Sequence, residues 1–164
     1  IKIRELLRPL FPREQHYLFM PVLDAEFTKL SVSGMLATRI SYINDLAVVA
    51  EKLGIDIEHV RQGLAADSRI GASYLYPGAG FGGENFSHDV LTLANTVSGT
   101  GAKSQLLAQV WDINEQQKEI LFRKLWNYYH GDLAGKVIAI WGASFKENTS
   151  RIQQSPIHAM LKAL

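Results

Sequence analysis

Charged and apolar residues alternate at helical spacing over residues 1–10, "IKIRELLRPL", and Pro12 should end that helix. The aromatic, apolar run "HYLFMPV" (16–22) has the composition of a buried strand. From Ala25 to Leu53 there is no proline and a single glycine. Apolar residues at 27, 30, 35, 36, 40, 43, 46, 49, 50 and 53 keep a helical period there. Asp24 is placed as its N-cap and Gly54 as its C′ stop. Asp56 then caps a short helix, "IEHVRQGLAAD". A loop dense in glycine follows, and the helical pattern resumes with "HDVLTLANTVS" from His88. Residues 102–130 form the longest helix candidate, with Leu106, Val110, Ile113, Leu121 and Leu125 on one face and the polar stretch "NEQQKE" in its middle. Such a mixed face packs against a partner chain or forms the surface of its own domain, and both readings stand. Past Gly131 the pattern changes. "KVIAIWG" (136–142) predicts a buried parallel strand, "ASFKENTSRIQQ" a polar loop, and Ser155-Pro156 opens a helix. Strand, loop and helix in that order begin a βαβ unit, which puts a domain boundary near 130–135.

Composition narrows the function classes. The chain is 47% apolar and 20% charged, which suits a folded domain with a real core. A net charge of +1 gives no electrostatic footprint for nucleic acid or a membrane surface. No apolar run approaches the roughly 18 residues of a spanning helix. Cysteine is absent, which excludes disulfides, thiolate metal sites and a cysteine nucleophile, and fits a reducing, cytoplasmic compartment. The chain starts at Ile1 and stops inside the helical pattern "PIHAMLKAL", so it reads as an internal piece of a longer protein. Its five histidines lack ligand spacing, and no metal site is expected. No G-x-S-x-G, G-x-G-x-x-G or G-x-x-x-x-G-K-[ST] motif occurs. The main phosphate loop of any nucleotide cofactor therefore lies outside these residues.

The candidate chemistry concentrates in "PGAGFGGENFSHDV" (77–90), with four glycines among positions 78–83. Backbone N–H groups at that density can meet a sugar or phosphate, or the stretch is a plain mobile loop. Asp89, where the loop turns back into a helix, reads as a general base or as an ordinary N-terminal cap.

Three motifs in succession, "AEFTKLSVSGMLATRISYINDLAVVAEKLG" (25–54), "DSRIGASYLYPGAGFGGENFSHDV" (67–90) and "VIAIWGASFKENTSRIQQSP" (137–156), resemble the UDP-glucose/GDP-mannose dehydrogenase family. Members oxidise the C6 alcohol of a nucleotide sugar to a carboxylate with two NAD⁺. The resemblance implies a mainly α chain: a helical central dimerisation domain flanked by remnants of α/β Rossmann-like domains. Residues 1–22 would end the NAD-binding domain, 23–130 would form the central dimerisation and substrate domain, and 131–164 would begin the UDP/GDP-sugar-binding domain. It further implies a homodimer through the central helices, a UDP- or GDP-linked sugar as ligand, and NAD held mainly by a preceding domain.

The roles carry over residue by residue. Lys29 matches the lysine of the family's "AE-x-x-K", which stabilises charge on the reacting oxygen. Ser33 stands where the family has an asparagine. "RISYIND" (39–45) and "SRIG" (68–71) match, and Arg69 takes the place of an arginine that reaches substrate across the dimer. The family's substrate loop, "F/Y-L-x-P-G-x-G-F/Y-G-G-S-C-F-P-K-D", reads here "YLYPGAGFGGENFSHD". Tyr74, Leu75, Gly78, Gly80, Phe81, Gly82, Gly83 and Phe86 are thereby substrate-binding candidates, and Asp89 a catalytic one. Asn85 stands where the family has its nucleophilic cysteine, and a carboxamide has neither a free lone pair on nitrogen nor an anionic form near neutral pH. Phe145 and Lys146 match the substrate-contacting pair of "F-K-P-N-T-D-D-x-R-E-S-P", while Gln153 replaces the arginine that approaches the cofactor, without the guanidinium's fork of donors. The implied function is a nucleotide-sugar 6-dehydrogenase impaired at its nucleophile. The alternative is an inactive member that serves as a nucleotide-sugar-binding or dimerisation subunit.

Overall fold

The computed structural model describes residues 2–13, 17–102 and 105–164, and within them every regular element is a helix. These are α1 (Lys2–Leu7), α2 (Val22–Leu53), α3 (Ile57–Ala66), α4 (Glu84–Gly99), α5 (Leu106–Gln117), α6 (Ile120–Tyr128) and α7 (Pro156–Ala163). The mainly α expectation holds.

α2 is the axis. At 32 residues it is about 48 Å long. Both α4 and α5 pack along it and against each other, α3 returns onto it, and α6 meets α7. Its buried face carries Ser33, Gly34, Ala37, Ser41 and Asn44, small or polar residues at helical spacing. Small side chains let helix backbones approach closely. A Cβ on Gly34 would lie 2.8 Å from Cδ2 of Leu93 and 3.3 Å from Cδ2 of Leu107, so that position has no room for alanine unless both leucines move. Ser41 Oγ donates to the Val110 carbonyl at 2.8 Å, fastening α2 to α5. The core formed there joins Ala37, Val90 and Val110 to Phe81 of the glycine loop, with Ile40, Phe86 and Trp111 at its edge. On α2 Ile43 is fully buried as well, whereas Val32, Met35, Tyr42, Val49 and Leu53 form an exposed stripe.

Several sequence expectations are met by local chemistry. Gly54 closes α2 in the left-handed region (φ 68°), with its N–H on the carbonyls of the last turn. Asp56 caps α3 by accepting from Glu58 N, and Ser155 caps α7 by accepting from Ile157 N with Pro156 next.

Others need correction. Residues 17–21 form no strand, and neither do 136–142; His16 lies outside the described residues. A strand is stable only when neighbours accept its backbone hydrogen bonds, and the described residues supply none. The expected βαβ opening is therefore a loop followed by α7. α2 begins at Val22 with Pro21 as N-cap, so Asp24 sits in the first turn and caps nothing. The helix expected over 1–10 ends at Leu7, before Pro12. The single helix expected over 102–130 is two, α5 and α6, parted by a turn at Lys118 and Glu119. α4 starts at Glu84, four residues before His88, and this moves Asn85 from the loop onto a helix and Asp89 from the helix start into its second turn.

Replacing Ala37 with leucine should overfill the crossing. A cost of about 1–3 kcal/mol is expected, read as a lower midpoint in urea at unchanged slope. An unchanged midpoint would contradict the tight packing described here.

Candidate functional site

Lys29 and Ser33 of α2 meet Asp89 where α2 and α4 cross. Lys29 and Ser33 share one side of α2, and Asn85 and Asp89 share one side of α4. The Lys29 ammonium is ion-paired to Asp89 Oδ1, and Ser33 Oγ donates to Asp89 Oδ2 at 2.9 Å. Asp89 is 8% exposed, whereas the Lys29 side chain is 63% exposed. Burial alone would raise the Asp89 pKa. The hydrogen bonds from Lys29 and Ser33, helped by the charges of Lys29 and His88, outweigh burial and hold it below the usual aspartate range. A buried carboxylate kept ionised beside an ammonium can take up a proton or orient water, while the ammonium can stabilise a developing oxyanion. Asp89 lies in the second turn of α4 and is no N-cap; Gly83 holds that place without a side-chain cap. Asn85 is exposed in the first turn. Ser87, also on α4, is buried with no hydrogen-bond partner for its hydroxyl among the described residues.

The glycine loop is held by its own chain. Asn114 of α5 accepts from Phe81 N (2.6 Å) and donates to Phe81 O (3.1 Å). Asn44 of α2 accepts from Gly78 N (2.8 Å), and Gln117 of α5 donates to Gly78 O (2.7 Å). On another side the loop meets residues 145–154. Gly83 N donates to the Gln153 carbonyl at 3.0 Å. A Cβ on Gly82 would stand 2.2 Å from the Gln154 carbonyl oxygen, so the close approach itself requires glycine. The plain mobile loop is therefore the wrong reading of 77–83.

Beside the loop lies a cavity of about 760 Å³, lined by Tyr74, Gly80, Phe81, Gly82, Phe86, Phe145 and Lys146, together with Ile40, Tyr76, Pro77 and Glu147. Its walls are aromatic: Phe81 and Phe86 meet edge to face at 5.2 Å, and the Lys146 ammonium lies 5.7 Å over the Phe145 ring. Tyr74 sits at φ 60°, a costly backbone conformation for a tyrosine. Tyr76 is covered by the Arg61 guanidinium at 4.4 Å. A concave, aromatic surface with a few charged groups is the usual form of a small-molecule site.

The structure thus gathers seven of the sequence-derived candidates around one cavity, and Lys29, Ser33 and Asp89 into one cluster on the adjoining helices. It does not gather the rest. Leu75 is 2% exposed and lines a separate recess of about 210 Å³ with Arg39. Gly78 borders another recess, and Gly83 packs on the Phe145 ring. The Arg69 side chain is exposed and paired with Asp67 at 2.6 Å. Gln153 is exposed, and its backbone carbonyl is what touches the loop. Sequence reasoning missed Asn114 and Gln117 and gave Asn44 no role. Their signal was positional: Asn114 and Gln117 fall four and seven residues after Val110, on the buried face of α5.

Comparison with known proteins shows the family. Residues 23–116 match the model of the UDP-glucose/GDP-mannose dehydrogenase family, central domain. The UDP-glucose 6-dehydrogenase of Pseudomonas aeruginosa is 37% identical over 162 residues, 99% of this chain and 36% of that protein. The UDP-glucose 6-dehydrogenase TuaD of Bacillus subtilis is 36% identical over 133 residues, 81% of this chain and 29% of that protein. A solved UDP-glucose dehydrogenase from the archaeon Pyrobaculum islandicum superposes on 85% of this chain and 32% of its own, with a TM-score of 0.78 and 29% identity. The chain therefore spans about a third of the length of the relatives it matches.

Ser33→Ala should raise the Asp89 pKa, followed by carboxyl NMR titration, because one bond that favours the ionised form is lost. A depressed folded pKa stabilises the fold above the unfolded value, about 3.9 for aspartate, and that stability is lost as pH falls through the folded pKa. The variant should lose part of this contribution near neutral pH and show a flatter fall of stability on acidification. An unmoved Asp89 titration would show that the Ser33 bond carries no weight.

Proposed function

The chain belongs to the UDP-glucose/GDP-mannose dehydrogenase family, and from that premise we propose that it is the central part of a nucleotide-sugar 6-dehydrogenase-type protein whose oxidation of the C6 alcohol to the uronate is impaired. The observation that carries the reading is the crossing of α2 and α4. The Lys29–Asp89–Ser33 cluster is assembled on α2 and α4, the helices that also give Ile40 and Phe86 to the aromatic cavity, yet the residue one turn before Asp89 is Asn85. In this reading residues 1–22 end an NAD-binding domain, 23–130 form the helical central domain, and 131–164 begin the sugar-nucleotide domain.

Each part then has a task. The cavity takes a UDP- or GDP-linked sugar, with Tyr74, Phe81, Phe86 and Phe145 covering apolar faces and Lys146 meeting negative charge. Lys29 stabilises charge on the reacting oxygen, and Asp89 holds or orients a proton or water. Asn85 forms no covalent adduct with an aldehyde, so the thiol-dependent second oxidation has no route through this position. Arg69, exposed and held by Asp67, would have to leave that ion pair to reach a sugar in a neighbouring subunit.

NAD would supply the hydride acceptor, but these residues do not build its main cradle. The glycine loop is closed against Gln153 and Gln154, which leaves Gly82 no space for a pyrophosphate, and Gln153 brings no guanidinium. NAD binding belongs to a domain preceding this segment. No helix among the described residues is long and apolar enough to cross a membrane, and a cytoplasmic protein that binds neither nucleic acid nor membrane fits the sequence.

A second reading, an inactive member acting as a binding or dimerisation subunit, is favoured by the exposed apolar stripe of α2. Met35, 64% exposed, and Tyr42 and Val49 recur at seven-residue intervals, the spacing of one helix face. Leu106 and Leu121, on the face that the sequence left open between a partner chain and the domain's own surface, are exposed as well. A homodimer through these helices would cover the stripe.

Two measurements test these readings. A full-length protein containing this chain, mixed with NAD⁺ and UDP-glucose or GDP-mannose, should form little NADH, and Asn85→Cys should restore turnover. Steady NADH formation by the natural sequence would refute impairment, and silence from both proteins would favour the inactive subunit. In light scattering the native chain should run as a dimer and Met35→Glu as a monomer. A native monomer at all concentrations would end the dimer proposal.

A further inference from the structure

Glycine-rich segments are costly to order, because glycine loses more backbone freedom on folding than any other residue. Residues 77–83 are nevertheless gripped at two points by side chains from two helices. Asn114 bonds both the N–H and the C=O of Phe81, reproducing a ladder pair with no strand present. At Gly78 the work is divided: Asn44 takes the N–H and Gln117 the C=O. A primary amide is the uncharged side-chain group that both donates and accepts in one plane, so it can match a peptide unit without importing charge. All three amides are buried, with Asn44 and Asn114 at 0% exposure. Between the two grips lie Ala79 and Gly80, and Gly80, Phe81 and Gly82 line the 760 Å³ cavity.

We infer that Asn44, Asn114 and Gln117 are positioning residues that hold the 77–83 backbone in its ligand-ready shape before any ligand arrives, so that a nucleotide sugar meets a preformed cradle. The inference rests on the reading of that cavity as the sugar site. A preformed loop spares the ligand the entropy of ordering it, which is how pre-organisation raises affinity. Loosening a grip should therefore weaken binding although none of the three residues lines the cavity itself.

Amide hydrogen exchange combined with UDP-glucose titration tests this on the native chain and on Asn114→Ala, Asn44→Ala and Gln117→Ala. In the unsubstituted chain the Phe81 and Gly78 amides should be protected without ligand. Asn114→Ala should speed exchange at Phe81, and Asn44→Ala at Gly78, by about tenfold or more, with amides inside α2 and α4 unchanged as the check on folding. UDP-glucose affinity should fall by about tenfold in Asn114→Ala. The two Gly78 variants should be non-additive, since either one frees the same residue. If Asn114→Ala unfolds, the Asn44 and Gln117 variants carry the same test at Gly78. Protection that persists in the variants overturns the inference whether or not sugar binds. Lost protection with unchanged affinity overturns the positioning role. Failure of the unsubstituted chain to bind UDP-glucose, with the exchange pattern as expected, counts against the sugar reading and leaves the preformed loop standing.

Discussion

The structure depends on how closely α4 and α5 approach α2. A helix that showed leucines to both neighbours would keep them about 10 Å away. α2 shows Ser33, Gly34, Ala37 and Ser41 instead, and Leu93 and Leu107 fill the space a Cβ on Gly34 would need. That short distance is what lets a serine hydroxyl reach a carboxylate on α4 and another reach a backbone carbonyl on α5. It also sets Asn44 and Asn114 on either side of one loop. The Lys29–Asp89–Ser33 cluster and the gripped loop are two consequences of one packing choice.

The same choice leaves α2 with its bulk on the outside. In an ordinary surface helix the large apolar residues face the core and the polar ones face water. Here, Ile43 apart, the residues buried along α2 are small or polar, with Ser33, Ser41 and Asn44 bonded to α4, α5 and the glycine loop, while Met35, Tyr42 and Val49 lie open. The buried polar groups are tolerable because nearly every one is paired. The exceptions among the described residues are Arg39 Nε, Asn44 Nδ2 and Ser87 Oγ, and the first two belong to side chains that already make other hydrogen bonds. An apolar stripe of that length on a helix of this kind is a surface that gains free energy when covered.

What the sequence made legible was local. Asp56, Gly54 and Ser155-Pro156 act through hydrogen bonds within a few residues, so their effects can be read from the residues themselves. The runs at 16–22 and 136–142 have strand composition, but a strand's hydrogen bonds are made elsewhere, and composition cannot supply the neighbour. The start of α4 was missed because Gly83, at φ 88°, caps it without a side-chain acceptor, leaving no serine, threonine or aspartate to mark it. The amides of α5 were missed for a further reason. "NEQQKE" looks like a solvated stretch until one sees that Asn114 and Gln117 fall on the side of Val110, where polarity is useful only if a backbone has to be held. Of the site, the glycines, the aromatic residues and the α2–α4 cluster followed from the motifs, while the means of support came from the fold.

Not every retained residue carries the same weight for function. Asp89 is buried, and a buried carboxylate left alone is expensive, so Lys29 and Ser33 are needed beside it whether or not any reaction takes place. Their presence follows from folding and is weak evidence for catalysis. Asn85 is the opposite case. It is exposed on the first turn of α4, where asparagine is well tolerated, so the fold makes no demand for a thiol there. The impairment proposed for this position would therefore ask no structural compensation of the fold. The cavity stands between these cases. Tyr74 is held at a strained φ of 60°, and Gly82 leaves its Cβ space to the Gln154 carbonyl. A helical domain has no folding reason to maintain an aromatic hollow bounded by a loop gripped at two residues. In the proposed reading a bound nucleotide sugar occupies that hollow, and this part of the proposal is independent of whether the residue at position 85 can react.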